Sequence, residues 1–175
     1  MSIYRLGEVQ PRIHPQAFIH PDAVLIGAVT IAAQASIWPG AVLRADFGRI
    51  VIGARTSIQD GTVLHTSAQW PTVIGSDCVV GHNAHLEGVV IEDRCLIGSM
   101  STCLQRVVVE HDSLIGAAAL LVEGTRVPSG SRALGAPAKI AQHPDGARFA
   151  AALRDGVDEY LRNAAHFAQC MRRVG

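Results

Sequence analysis

The chain has 175 residues, enough for one domain with an appendage and a core of its own. It is 49% hydrophobic but only 5% aromatic, and 15 basic side chains balance 15 acidic ones, so no electrostatic footprint for nucleic acid or an anionic membrane is present. Residues 1–11 lack the apolar core of a secretory signal and no apolar run nears the roughly 18 residues of a membrane span; a soluble, cytoplasmic protein with neither nucleic acid nor membrane as partner is expected.

With few aromatics, 17 glycines and abundant Val, Ile, Leu and Ala, the composition suits a stack of narrow layers. In chain order, Ile19, Leu25, Ile31, Ile37 and Leu43 recur every six residues, with Ile26 an alternative to Leu25. Ile52, Ile58 and Leu64 continue the series, then Ile74, Val80 and Leu86. Ile91, Ile97, Cys103, Val109, Ile115, Leu121 and Val127 complete it. Glycine often follows the apolar position directly (Gly53, Gly75, Gly81, Gly98, Gly116), where it is expected to relieve the φ constraint as the chain turns. The fourth residue after it is small, as at Ala35, Thr56, Cys78, Cys95 and Ser113, which suits the inside of a corner.

A six-residue period fits neither a helix nor a plain strand. One short extended segment plus a turn explains it. Three such segments closing a triangular coil of about 18 residues would stack as parallel strands about 4.8 Å apart. The predicted fold class is therefore an all-β solenoid, a parallel β-helix of hexapeptide repeats covering Ile13 to Arg132. Arg44 to Val51 and His65 to Val73 exceed a hexad and are predicted to protrude as loops, while Leu86 to Ile91 is one residue short.

After Val127, Pro128, Pro137 and Pro144 interrupt the repeat. A helix is predicted over Asp145 to Arg173, started by Pro144-Asp145 and weakened at Gly156. Its stripe of Phe149, Leu153, Val157, Tyr160, Ala164, Phe167 and Met171 should pack along the outer face of the solenoid. The chain thus divides into a β-helix domain, 1–143, and a packed helix, 144–175.

Cys78, Cys95, Cys103 and Cys170 show no CxxC pairing and read as small buried thiols. Of eight histidines, His14, His20, His111, His143 and His166 read as solvated side chains. Register separates the other three. His65 follows the inward Leu64 and so points outward. Leu64 stacks under Leu86, which puts Glu87 above His65, where two outward side chains one layer apart can meet on one metal ion. His82, two after the inward Val80, lies about 12–15 Å from Glu87 along an extended path. Zinc–nitrogen bonds are about 2 Å, so a neighbouring subunit would have to supply His82. The register points to an interface site.

Leu43-Arg44-Ala45-Asp46, Ser57-Ile58-Gln59-Asp60-Gly61-Thr62-Val63-Leu64-His65 and Val80-Gly81-His82-Asn83-Ala84-His85-Leu86-Glu87-Gly88 resemble the γ-class carbonic anhydrases, as does the tail piece Leu134-Gly135-Ala136-Pro137-Ala138-Lys139. The resemblance implies a left-handed β-helix, a homotrimer and three interfacial zinc sites, each shared by two subunits. It implies His65 and His82 as ligands, Arg44 and Asp46 as a pair across the interface, and Gln59 and Asp60 beside the metal's water. The glutamine would hold that water and the aspartate would fix its amide.

Two departures stand out. Ala45 replaces a glycine, and Glu87 stands where the family has the third histidine, with His85 two residues earlier on the same strand face. Either Glu87 or His85 can complete the metal; Phe47 occupies a place where some members carry an acid. The implied activity is reversible hydration of carbon dioxide to bicarbonate by a metal-bound hydroxide. Zn2+ is the expected metal, with Fe2+ or Co2+ also suited to the donor set. A non-catalytic metal-binding or scaffold member of the family, and a hexapeptide-repeat acyl-coenzyme A transferase, are the alternatives.

Overall fold

The computed structural model describes Ser2 to Gly175. The six-residue period wraps into a left-handed parallel β-helix of about seven turns with one C-terminal helix. All the periodic apolar side chains point inward, and Ile19, at 9% exposed, is the least buried of them. Leu25 rather than Ile26 takes the inward position. The small residues four further on, among them Ala35, Thr56, Cys78, Cys95 and Ser113, are all at most 1% exposed, because two faces meet there and leave no room.

One face is a ladder running from Phe18–Ile19 through Ser36–Ile37, Ser57–Ile58, Val79–Val80, Leu96–Ile97 and Leu114–Ile115 to Ser131–Leu134. The antiparallel strand Lys139–Gln142 closes it. The other two faces form one sheet because the strand Val42–Ile52 runs through both. Its first part pairs Leu43 with Leu64 and Arg44 with His65, and its last part pairs Ile50 with Thr72 and Ile52 with Ile74.

Two local expectations are corrected. The glycines that directly follow the apolar position do not serve a positive φ. That conformation falls three residues after it, at Gln34, Arg55, Asp77, Asn83, Arg94, Met100, Arg106, Asp112 and Ala118, with φ between 55° and 63°. The glycines answer instead to the spacing of the coils: a Cβ on Gly98 would stand 2.4 Å from the Ala117 nitrogen, and one on Gly53 2.4 Å from the Gly75 carbonyl carbon. Residues 44–51 are likewise not a loop. They are strand, with a register shift against Gly27–Val29, and Ala45 and Ile50 stay buried while Phe47 is 66% exposed. The extra length is absorbed as a bulge where the strand rounds a corner. The second insertion does leave the surface, in a turn that Ser67 and Trp70 close (Ser67 N to Trp70 O, 3.2 Å), but Thr66 and Thr72 at its base are buried.

The helix spans Gly146–Cys170, and Asp145 caps it by accepting from the Arg148 amide at 2.9 Å. Phe149, Leu153 and Val157 pack on Val79, Leu96 and Leu114, which point outward from the first ladder. Burial of each large side chain contributes about 1.5–3 kcal/mol before entropic losses. Further along, Tyr160 and Phe167 meet Trp38 edge-on (ring centroids 5.6 and 5.2 Å), and Phe167 reaches Phe18 at 6.4 Å. The helix therefore runs back from late coils to early ones. Arg55 adds a polar tie, bonding Asp77 at 2.6 Å on the solenoid and Asp158 at 2.9 Å on the helix.

Cys78, Cys95 and Cys103 are buried and Cys170 exposed, all as free thiols. Burial pushes the Cys103 thiol up to about 12. One histidine departs from expectation: His20 is buried rather than solvated, its Nδ1 accepting from the Asp22 amide at 3.1 Å and its ring lying edge-on to Phe18.

Candidate metal centre

Parallel pairing places Arg44 beside His65 and His65 beside Glu87, so three successive coils present a column of polar side chains on one outer face. The contacts along it are short. His65 Nδ1 lies 3.4 Å from Glu87 Oε1, and His65 Nε2 lies 3.0 Å from Asp46 Oδ1. The second Asp46 oxygen accepts from the Arg44 guanidinium. Burial pushes the Asp46 carboxyl up, but hydrogen bonds from His65, its own backbone and Arg44 outweigh that and hold it below the ordinary carboxylate value. His85, on the same strand as Glu87, brings Nε2 to 3.7 Å from Glu87 Oε2.

The donor set can be tested against a metal. Two donors on a tetrahedral zinc with bonds of about 2.0–2.2 Å are about 3.3–3.5 Å apart. The His65 and Glu87 atoms already stand at that separation. The second ring nitrogen of His65 rests on a carboxylate, the usual outer partner of a metal-bound imidazole. The pair has the spacing of two metal donors, and a complete site would need at least one more.

His82 lies elsewhere on the chain. It occupies the corner after Val80, its Nδ1 3.0 Å from Asp60 Oδ2, and both side chains are about half exposed, at 48%. Among the described residues of one chain, no three His, Cys, Asp or Glu side chains converge as a ligand group. The structure thus brings together Arg44, Asp46, His65, His85 and Glu87, and leaves Gln59, Asp60 and His82 at another corner of the same coil stack.

Within one chain, two of the implied partners make the following contacts. Arg44 and Asp46 pair within the chain, because residues two apart on a strand share a face. Asp60 holds the His82 ring, since His82 stacks on it one coil later. Gln59 is itself buried and meets the hydroxyl of Tyr160 from the helix. Burial raises the pKa of that phenol, and the negative charges of Asp60 and Glu159 raise it further.

Sequence reading passed over Gln105, whose Nε2 donates to Glu87 Oε1 at 3.2 Å. It stands 18 residues after Glu87, one full coil, so the period itself carried the signal. Tyr160 had no such signal, because a helical stripe residue reads as packing.

Coils built from six-residue steps, carrying an outward histidine–carboxylate column, define a hexapeptide-repeat β-helix protein. The family model "Bacterial transferase hexapeptide (six repeats)" matches residues 71–105. The mitochondrial gamma carbonic anhydrase 1 of Arabidopsis thaliana is 39% identical over 145 residues, 79% of this chain and 53% of that protein. This chain therefore spans about half the length of that relative. Carnitine operon protein CaiE of Escherichia coli K12 is 35% identical over 143 residues, 82% of this chain and 73% of the relative. A crystal structure of a hexapeptide transferase family protein from Anaplasma phagocytophilum superposes with a TM-score of 0.90 at 33% identity, over 95% of this chain and 98% of that one. The chain belongs to the hexapeptide-repeat, left-handed β-helix family that includes the γ-class carbonic anhydrases. Among the described residues no helix is long and apolar enough to cross a membrane.

Proposed function

We propose that the chain is a γ-carbonic-anhydrase-like metalloprotein that hydrates carbon dioxide to bicarbonate and a proton at a site shared by neighbouring protomers of a homotrimer. The observation that carries the reading is the His65–Glu87 pair at ligand separation, braced through Asp46 to Arg44. His65 and Glu87 of one protomer, with His82 of the next, would hold the ion. Zinc, or ferrous iron or cobalt in the same donors, would supply the Lewis acidity that activates water for attack on carbon dioxide.

The roles of the chain's own side chains follow from their contacts. Asp46 fixes the ring of His65, and Asp60 fixes that of His82. Glu87 is favoured over His85 as the third ligand because its Oε1 already faces His65, whereas His85 reaches only the far oxygen, Oε2. His85 then serves as an outer partner of the carboxylate.

The decisive experiment pairs metal analysis of purified protein with a stopped-flow hydration assay, run with and without chelator. A carboxylate ligand gives the ion more negative charge than a third imidazole, so hydration should be slow near neutrality and rise with pH. His82→Ala should abolish both metal retention and hydration. A protein that holds no metal, or a rate profile flat from neutrality upward, would overturn the reading. A second reading, acyl transfer, rests on the transferase naming of the Anaplasma relative. Chelator-resistant consumption of acetyl-coenzyme A in place of hydration would favour it.

A further inference from the structure

The N-terminal end of the solenoid carries a second, separate polar site. A cleft of about 460 Å3 opens between the N-terminal segment and the bulge of the strand Val42–Ile52, and Arg5, Arg12 and Arg49 line it from three different stretches of chain. Each stretch is fixed by backbone pairing. The tight Leu6–Val9 turn (Leu6 N to Val9 O 2.8 Å, Val9 N to Leu6 O 3.1 Å) sets the rim between Arg5 and Gln10. Arg12 pairs in register with Thr30, and Arg49 precedes Ile50, which pairs with Val29. Arg12 and Arg49 thus stand on strands that flank Val24–Ile31, and Arg5 directly follows the strand Ser2–Tyr4.

Their charge has no carboxylate partner, in contrast to the five arginines paired along the coils, although Arg132 and the helix and tail arginines are unpaired as well. Arg44, Arg55, Arg94, Arg106 and Arg126 each pair with an Asp or Glu carboxylate. Arg5, Arg12 and Arg49 form no ion pair among the described residues. Glu8 is the one acidic side chain in the lining, so the cleft keeps a surplus of positive charge in a chain whose formal net charge is zero. Gln10 and Thr30 add neutral hydrogen-bonding groups. Its volume lies within the usual range for small-molecule sites, about 300–1,000 Å3. Guanidinium forks match carboxylate and phosphate oxygens in geometry as well as charge.

The geometry points to a binding site for a small dianion, a phosphate ester or a dicarboxylate, held by Arg5, Arg12 and Arg49. The site is independent of the metal reading, since it shares no residue with the His65–Glu87 column. Calorimetric titration at constant ionic strength and pH 8 tests it, with inorganic phosphate and succinate as probes and chloride as the monoanion control. Saturable binding of one probe is expected, and the preferred probe identifies the oxyanion. Arg12→Gln and Arg49→Gln should each weaken it about tenfold or more, whereas Arg162→Gln on the helix should not. Matched melting curves would show that each variant remains folded. No saturable binding of either dianion, equal binding by the cleft variants, or displacement by chloride at the same concentration would overturn the proposal. A crystal structure with an acidic side chain of a second copy seated in the cleft would overturn it too.

Discussion

Glu87 is held from two sides, with Oε1 accepting from Gln105 and Oε2 beside His85, so its direction is set by the coil above and by its own strand. Gln105→Ala removes the donor without touching any proposed ligand. It should lower metal affinity about 10- to 100-fold, the usual cost of losing an outer-shell partner, as read by competition with a chromophoric chelator. Unchanged affinity would show that the carboxylate orients itself. Much of this column was legible in the sequence, because inward Leu64 and Leu86 fix the facing of His65 and Glu87 by simple counting. The Arg44–Asp46 pairing within the chain was not. A motif shared with a trimeric family gives residue types, and it leaves open whether a side chain turns to its own neighbour or to another protomer. Buried His20 escaped for a related reason: nothing local to it announces that Phe18 and the Asp22 amide will enclose it.

At the level of the elements, the two kinds of glycine make the sharpest test. Gly98 has backbone of the next coil where a Cβ would go, while Gly124 has φ +76° and nothing within 4 Å of that position. Gly98→Ala must push successive coils apart and should cost several kcal/mol or prevent folding. Gly124→Ala carries only the left-handed backbone penalty of about 1–2 kcal/mol. Thermal melts of both variants separate the two effects, and equal losses would refute the close-approach account. The hexad count named the repeating inward side chains, yet it missed buried Ile50 and could not say how surplus residues are accommodated. Residues 44–51 keep Ala45 and Ile50 buried and stay in the sheet, whereas 67–70 close a turn on themselves through Ser67. Strand alternation around Phe47 distinguishes the two cases only once the neighbouring coil is known.

Across the whole molecule, charged pairs climb the corner nearest the helix, Arg55 with Asp77 and Arg94 with Asp112. The Arg94 fork holds the Asp112 carboxyl below its ordinary value against the opposing effect of burial, with His111 assisting. A group depressed in this way contributes fully above its unfolded value, and its contribution is lost as pH falls through the folded one. Asp112→Asn should therefore destabilise the protein at pH 7 by up to about 1 kcal/mol, typical of an exposed pair. Urea titrations at pH 7 and pH 3 should show the gap to the parent closing on acidification. A gap that persists at pH 3 would mean that packing, and not charge, was lost.

A solenoid joined only coil to coil shares its stability between neighbours and can fray from either free end. Here the last segment of chain lies lengthwise over the stack, touching Leu114 near one extremity and Phe18 near the other. It works as a splint. Peeling away an outermost rung means first lifting a rod that also grips the far side, which welds a string of weakly linked units into a body that opens in one step.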